Sequence, residues 1–313
     1  MTSYSRDPIR IELLKNALTA IADEMAVTVV RTARSLPIKE SLDFSTGLLN
    51  ADGALIAQGL CLPLHMGSFP PTMTSILNEY KDDIHPGDIF ATNDPYLGGG
   101  THLPDIYIFL PIFFQATLIG FAAAIGHHTD IGGRVAGGNA CDNTEIYQEG
   151  VRIPPVKIAH QGELDDLFVK MMRANVRMPQ KVLGDIMACI AACRRGEQGF
   201  KALANRYGVT ELRASTIDLI DYAEELTRAE MRELPDGQWE FEDYLDDDGF
   251  QEQPIRIFVS LAKQGDEITV DFRGTDPQVK GSINMPFYFT ASCAYACIRS
   301  VMDPSIPNNE GFF

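Results

Sequence analysis

Apolar residues near the N-terminus recur at the spacing of an amphipathic helix. Behind Asp7 and Pro8, which suit a helix cap and a first-turn proline, they return every three or four positions, at Leu14, Leu18, Ile21 and Met25. We therefore predict that the first element is a helix that runs to about Arg31.

From Phe44 the pattern changes to short apolar runs bounded by glycine and proline. Two of these runs flank Asp52 and Gly53, and an Asp-Gly pair between apolar runs predicts a β-hairpin. Three further runs have the length of strands, and they read GDIFATND, DIYIFLPIFF and TLIGFAAAIGHH. We expect them to be strands of one largely buried sheet.

The rest of the chain divides into a helical stretch and a second β-rich stretch. Residues 163–234 carry helical periodicity, with a predicted cap at Thr210. After Pro235 strand alternation returns around a hairpin turn at Gly265. An apolar helix is predicted after Pro286.

These elements predict an α+β fold: a mixed sheet region with an N-terminal helix, a helical middle segment and the start of a second β-rich region. The predicted division is an α+β domain at residues 1–160, a helical segment at 161–235 and a β-rich region at 236–313. The last region is expected to be incomplete, because the chain stops soon after one apolar helix.

Charge and composition narrow the class of partner. Asp and Glu outnumber Lys and Arg by 43 to 26, and a net charge of −17 repels phosphate backbones and anionic lipid headgroups. The N-terminus lacks the basic and apolar segments of a secretory signal, and no apolar stretch reaches membrane-spanning length. We expect a cytoplasmic protein that binds neither nucleic acid nor membrane.

The cysteine pattern favours thiols over disulfides or a zinc site. Cys189 and Cys193, like Cys293 and Cys297, lie four residues apart in helical sequence, a spacing that suits a disulfide poorly. No CxxC pair occurs, so a four-cysteine zinc site is disfavoured. The pattern predicts buried core thiols.

Candidate chemistry concentrates in residues 91–105, which read ATNDPYLGGGTHLPD. Three consecutive glycines indicate a loop that needs positive φ or a close backbone approach. Possible metal ligands follow one another along this loop and the next predicted strand end, at Asp94, His102, Asp105, His127, His128 and Asp130. Two imidazoles and one or two carboxylates can hold a single ion.

The predicted strands give this ligand set a geometry. Asp105 opens one strand and His127 closes the next, so the two residues meet if the strands are antiparallel neighbours. His127 and His128 point to opposite faces of a regular strand, so only one of them suits the same ion. A hydrogen-bonded histidine with no metal remains the alternative interpretation.

The sequence lacks the motifs of several other common chemistries. Neither G-x-x-x-x-G-K-[ST] nor G-x-G-x-x-G occurs, and G-x-S-x-G and H-E-x-x-H are also missing. The runs LGGGT and GGRVAGG are therefore interpreted as turns around the site. We expect that this chain does not bind ATP by itself.

Five stretches, in chain order, carry a family resemblance: SLPIKESLDFSTGLLNADGALIAQ, LPLHMGSFP, GDIFATNDPYLGGGTHLPDI, GHHTDIGG and VDFRGTDPQVKGSINMP. They resemble the signature sequences of the hydantoinase B family over essentially the whole chain. That family includes subunits of N-methylhydantoinase, 5-oxoprolinase and caprolactamase and the large subunits of acetone and acetophenone carboxylases.

The resemblance implies a site for one divalent transition metal, manganese, iron or zinc. The family's ligand positions fall on Glu40, His102, Asp105 and His127. The resemblance further places four residues around the ligands or in the pocket as candidate catalytic groups, with Asp94 or His128 to take a proton: Asp43, His65, Asp94 and His128. Ser41 stands where family members often have an arginine.

The activity implied by the resemblance is that of the amidohydrolase subunit of an ATP-dependent complex. A partner ATPase of the hydantoinase A type would phosphorylate the amide oxygen of a hydantoin, an oxoproline or a lactam, and this subunit would open the ring. The alternative is the large subunit of an ATP-dependent acetone or acetophenone carboxylase. A metal-stabilised scaffold without catalysis is the third possibility, from another class of function.

Overall fold

The structure is a computed structural model that describes residues 7–59 and 62–313. Its helices are α1 (Pro8–Thr32), α2 (Leu36–Lys39), α3 (Phe69–Tyr80), α4 (Asp166–Asn175), α5 (Pro179–Tyr207), α6 (Val209–Glu233) and α7 (Phe287–Arg299). Its strands are β1 (Phe44–Asn50), β2 (Leu55–Gln58), β3 (Ile89–Thr92), β4 (Asp105–Phe114), β5 (Thr117–His127), β6 (Val156–His160), β7 (Glu163–Leu164), β8 (Gly237–Leu245), β9 (Ile255–Gln264) and β10 (Glu267–Asp271). Two 3-10 turns span Pro63–His65 and Ile146–Gln148.

Helix α1 forms as its sequence pattern predicts. The carboxylate of Asp7 accepts hydrogen bonds from the backbone N–H groups of Ile9 and Arg10, which have no partner inside the helix. Its apolar stripe is buried against the sheet and α5. The helix ends at Thr32, one residue after the predicted end.

The main sheet has seven strands in the order β2-β1-β5-β4-β3-β6-β7, and all its strand pairs are antiparallel. Strands β4 and β5 are buried on both faces, which explains their nearly continuous apolar sequence. Alternate residues of β4 belong to different cores: Ile106 and Ile108 face α1 and α5, whereas Tyr107 and Phe109 face α3. The predicted α+β fold class is confirmed.

The register of the β4–β5 hairpin decides which polar side chains meet. Asp105 at the start of β4 pairs directly with His127 at the end of β5. The antiparallel pairing on which the metal-site hypothesis depended is therefore present.

Helices α5 and α6 share one hydrophobic cluster with α1 and the sheet. Gly196 and Gly199 of α5 lie against Met25 and Ile21 of α1, where a Cβ atom would clash with those side chains. Small residues thus let the two helices approach closely. The predicted cap of α6 at Thr210 is wrong, because the helix starts at Val209 and Gly208, with φ 80°, lies at the boundary.

The C-terminal part contains a three-stranded sheet in the order β10-β9-β8 and the predicted helix α7. The turn between β9 and β10 has Gly265 at φ 63°, as expected for this hairpin. Helix α7 packs against the 3-10 turn at Pro63–His65, and the Ser292 hydroxyl donates to the Met66 carbonyl over 2.6 Å. The C-terminal part therefore reaches back to the segment that carries His65.

Two further expectations concern membranes and cysteines. None of the helices in the described ranges combines the length and hydrophobicity that crossing a membrane requires. Cys189 and Cys193 are buried free thiols, and burial raises the pKa of Cys189 to about 12. The prediction of core thiols holds for this pair, whereas Cys293 is half-buried and Cys297 is exposed.

Candidate metal centre

Three side chains converge at the open end of the β4–β5 hairpin. His102 Nε2 lies 3.0 Å from Asp105 Oδ2, and His127 Nδ1 lies 3.3 Å from Asp105 Oδ1. The two imidazole nitrogens are 3.2 Å apart. One ligand atom from each residue therefore lies within 4.8 Å of the others, close enough to hold one ion together.

A second group shares Asp105 and adds Asp43 and His65. Asp43 lies between α2 and β1, after Leu42, whose φ of 55° turns the chain sharply. The His127 N–H donates to the Asp43 carbonyl over 3.0 Å, and the Asp43 carboxylate lies 3.7 Å from His127 Nδ1. The backbone of one hairpin end thus fixes the position of Asp43.

His65 lies in the 3-10 turn at Pro63–His65, and one of its two ring nitrogens is hydrogen-bonded. Its Nδ1 hydrogen-bonds the Ser45 hydroxyl over 2.8 Å, which leaves Nε2 directed toward Asp105 Oδ2 at 3.5 Å. A hydrogen bond at one ring nitrogen is the usual way in which proteins orient the other toward a ligand. The predicted pocket residue His65 therefore joins the cluster directly.

The glycine-rich loop lies beside this cluster of candidate ligands. Gly99 has φ 67° and lies against the backbone of Pro71 and Thr72 in α3, where a side chain would be crowded. The next hydroxyl, from Thr101, donates to Asp105 Oδ2 over 2.5 Å. Gly99 thus lets the loop pass close to α3, and the loop places Thr101 and His102 beside Asp105.

Asp94 lies in the same loop, and its carboxylate is bound by other groups of the protein. Its buried carboxylate accepts a bidentate pair from Arg152, at 2.6 and 3.3 Å, and hydrogen bonds from the backbone N–H groups of Tyr96 and Leu97. It is not among the residues that line the cavity beside the candidate ligands. The proton-acceptor role expected for Asp94 therefore finds no support in its position.

Arg152→Met is expected to destabilise the fold by about 2 kcal/mol, because it leaves the buried Asp94 carboxylate without its cation. Urea unfolding would measure the loss. Arg273→Met is the control, since Arg273 pairs with Asp271 at an almost fully exposed position and should change stability by less than about 0.5 kcal/mol. Equal losses in both variants would contradict the structural role.

His128 points away from the cluster, as the alternation of strand faces requires. It is fully buried, and its Nδ1 lies 2.8 Å from the Gly126 carbonyl. Burial lowers its pKa despite the nearby Asp185 carboxylate. His127 is thus placed with the candidate ligands, and His128 belongs to the core between β5 and the helices.

Glu40 is the one expected ligand that the structure does not bring to the cluster. It caps the short helix α2 and is exposed, and it lines neither candidate group nor the cavity above them. Asp43, three residues later, is grouped with His65 and Asp105. The turn at Leu42 thus brings Asp43, and not Glu40, to the candidate ligands.

The charge state of Asp105 suits a residue that binds a cation. Burial alone would raise the pKa of this carboxyl, but His102, His127 and His65 together hold it well below the usual range. Burial likewise opposes protonation of His102, yet Asp105, Asp43 and Glu149 outweigh it and raise the His102 pKa. Asp105 Oδ1 is buried without a well-directed hydrogen bond among the described residues. An anionic oxygen in this position suits coordination to a metal.

The cluster forms one wall of a cavity of about 490 Å³. The cavity is also lined by Ile283 and Met285 from the segment before α7 and by Phe289 in the first turn of α7. Glu149, which sequence reasoning did not identify, also lines the cavity, and burial raises its pKa although the His102 imidazole opposes this shift. Glu149 lies 22 residues after His127, and this separation in sequence gives no signal from which it could have been predicted.

Comparisons with known proteins agree with this architecture. The family model for Hydantoinase B/oxoprolinase matches residues 7–313. Caprolactamase subunit beta of Pseudomonas jessenii is 34% identical over 308 residues, 98% of this chain and 52% of that protein. The 5-oxoprolinase 1 of Arabidopsis thaliana is 30% identical over 331 residues, 97% of this chain and 26% of that protein. The chain thus spans about half the length of the first and a quarter of the second.

Solved structures of other proteins share the fold. The crystal structure of ATP-dependent caprolactamase from Pseudomonas jessenii matches with a TM-score of 0.91 at 34% identity, over 98% of this chain and 53% of that one. The nucleotide-free acetone carboxylase matches with a TM-score of 0.90 at 19% identity, over 98% of this chain and 42% of that one. The second likeness shows a common fold alone.

Proposed function

The chain belongs to the hydantoinase B/oxoprolinase family, and we propose that it carries the ring-opening site of an ATP-dependent cyclic amide hydrolase. The observation that carries the proposal is the convergence of His102, Asp105 and His127 at the wall of a cavity large enough for a small ring. The relative named caprolactamase subunit beta and the relative named 5-oxoprolinase 1 point to the same class of substrate.

The donor set suits a divalent transition metal. Imidazole nitrogens and carboxylate oxygens together bind manganese, iron or zinc, and they do not select among the three. We assign His102, Asp105 and His127 as ligands, with Asp43 as the fourth. When bound, such an ion supplies Lewis-acid polarisation and activates water near neutral pH.

The protein's own side chains prepare this site for a ring. Asp105 stays ionised because three imidazoles surround it, and Ser45 holds His65 in one orientation. Glu149 lines the same cavity, and burial raises its pKa, so it is suited to exchange a proton with the opening ring. Met285 and Phe289 add apolar surface to the lining of the cavity.

The use of ATP is assigned to a partner protein. A planar amide is a poor electrophile, and phosphorylation of its oxygen makes the carbon reactive and supplies a good leaving group. This chain contains no phosphate-binding motif, so we assign ATP to a hydantoinase A type subunit in a cytoplasmic hetero-oligomer. The name "subunit beta" of the caprolactamase relative supports a complex of more than one kind of chain.

The alternative function is ATP-dependent ketone carboxylation. The acetone carboxylase structure shares the fold at 19% identity, and a fold at that identity does not carry a reaction with it. We therefore place cyclic amide hydrolysis first.

ATP-dependent ring opening is expected only when the full-length protein and its ATPase partner are combined. The measurement is phosphate release and ring-opened product, for each protein alone and for the mixture, with lactam or hydantoin as substrate. ATP turnover by this polypeptide alone would contradict the division of labour. Carboxylation of a ketone with bicarbonate, without any amide opening, would support the alternative instead.

A further inference from the structure

The two carboxylate oxygens of Asp105 have different surroundings. Oδ2 accepts the hydrogen bond from the Thr101 hydroxyl over 2.5 Å, and the Nε2 atoms of His102 and His65 lie 3.0 and 3.5 Å from it. Oδ1 lies 3.3 Å from His127 Nδ1 and is buried without a well-directed hydrogen bond to the described residues. One oxygen is therefore held by donors, and the other is available to a cation.

Thr101 is the donor to Oδ2 that does not compete with cation binding. An imidazole nitrogen that binds a cation uses its lone pair, so it cannot donate a proton to a carboxylate at the same time. His102, as a ligand, therefore cannot hold Oδ2, and His65 Nε2 at 3.5 Å is beyond a normal hydrogen bond. The Thr101 hydroxyl can hold Oδ2 whether or not an ion is bound.

Buried hydroxyls lie behind Thr101, between β4 and the start of α3. The hydroxyl of Ser68 donates to the His65 carbonyl over 2.8 Å, and the hydroxyl of Thr72 donates to the Ser68 carbonyl over 2.8 Å. The phenol of Tyr107 is fully buried beside these two hydroxyls and that of Thr101. Within the described ranges it makes no well-directed hydrogen bond.

The protons of these four hydroxyls define a direction for the hydrogen bonds. Those of Ser68, Thr72 and Thr101 are each used on a carbonyl or carboxylate oxygen. The Tyr107 proton is left, and a buried donor is rarely without an acceptor. The Thr101 oxygen is the best acceptor near it, because a hydroxyl that gives its own proton to an anionic oxygen becomes a stronger acceptor. The hydrogen bonds therefore run from Tyr107 through Thr101 to Asp105.

Building on the proposed function, we propose that Thr101 and Tyr107 are positioning residues for the metal site. They fix Asp105 so that Oδ2 is occupied by hydrogen bonding and Oδ1 is presented to the ion. Thr101 contacts the ligand, whereas Tyr107 acts through Thr101, so the loss of Thr101 has the larger effect.

Metal binding by the full-length protein, without ATP or partner, tests this role through Thr101→Val, which keeps the shape and removes the hydroxyl. We expect its affinity for Zn²⁺, titrated against a competing chelator, to fall by about 10- to 100-fold. The visible absorption of bound Co²⁺ should change too, because it reports the arrangement of the ligands. Thr101→Ser restores the hydroxyl, so its affinity should lie within about threefold of wild type and its spectrum should match.

Thr227→Val is the matched control. Thr227 is buried in α6, its hydroxyl donates to the Ala223 carbonyl over 2.8 Å, and it is not among the residues that line the cavity. This variant loses a similar hydrogen bond and should keep the wild-type affinity and Co²⁺ spectrum. A loss of affinity equal to that of Thr101→Val would assign the effect to general destabilisation and overturn the inference.

Tyr107→Phe removes the proton at the far end of the chain of hydroxyls. We expect its Zn²⁺ affinity to fall by about threefold to tenfold, less than in Thr101→Val. The double variant should bind no more weakly than Thr101→Val alone, since the two groups act in series. Additive losses, or an unchanged affinity in Tyr107→Phe, would overturn the role of Tyr107.

Wild-type affinity and Co²⁺ spectrum in a folded Thr101→Val protein would overturn the inference and leave the proposed function standing. Should Thr101→Val not fold, Thr101→Cys takes its place with the same expected results, since a thiol donates only weakly. A wild-type protein that binds neither Zn²⁺ nor Co²⁺ would overturn both the inference and the metal site of the proposed function.

Discussion

Replacement of Asp105 by asparagine is expected to strip the metal and to reduce ring opening by about 100- to 1,000-fold. Asp105 is the carboxylate that both candidate ligand groups share, and it contacts His65, His102 and His127 at once. An asparagine keeps the shape but removes the charge that attracts the cation. Elemental analysis of the purified protein and turnover in the complex measure the two effects.

Asp94→Asn is the control for this variant. Asp94 lies in the same loop, is equally buried and carries the same charge, but it faces Arg152 and not the cavity. We expect the control to keep its metal and to retain turnover within about threefold, with a loss of stability. Loss of metal in Asp94→Asn and retention in Asp105→Asn would reverse our assignment.

The second prediction with a large expected effect distinguishes Asp43 from Glu40 as a metal ligand. Asp43→Asn is expected to lower metal affinity by about 10- to 100-fold or more, because its carboxylate belongs to the ligand cluster. Glu40→Gln should leave affinity unchanged, since Glu40 is exposed at the end of α2. Metal titration with a competing chelator measures both variants under the same conditions.

The opposite result would restore the ligand set that family resemblance implies. If Glu40→Gln lost the metal and Asp43→Asn kept it, the turn at Leu42 would have to rearrange when the ion binds. A crystal structure of the loaded protein would then show Glu40 turned inward.

The sequence predicted the convergence of those side chains that lie close together along the chain. His102, Asp105 and His127 belong to one hairpin and the loop before it, and antiparallel pairing of two strands of known length brings their ends together. The alternation of side chains along β5 likewise distinguished His127 from His128 without a structure. Short-range geometry therefore carried these predictions.

The remaining residues depend on contacts between distant segments. Asp43 reaches the cluster because β1 pairs with β5 in the register Phe44 opposite Gly126, and His65 reaches it through a turn that α7 packs against. Glu149 arrives through a long loop. No spacing rule encodes these approaches, so sequence patterns could place such residues near the site only by family resemblance, or not at all.

The fold shows the same division. Periodicity predicted α1 to within one residue of its end and located the hairpin turns, because these features depend on local pattern and turn chemistry. The start of α6 was missed because Gly208 terminates α5 and opens α6 with a single positive φ, so the boundary needs no polar cap.

Anomalous diffraction at the absorption edge of the bound metal, from crystals of the full-length protein, tests the central assignment most directly. We predict one strong peak about 2.0–2.3 Å from His102 Nε2, His127 Nδ1 and a carboxylate oxygen of Asp105. A peak at any other group of residues, or a protein that opens cyclic amides in its complex with no peak at this cluster, would contradict it.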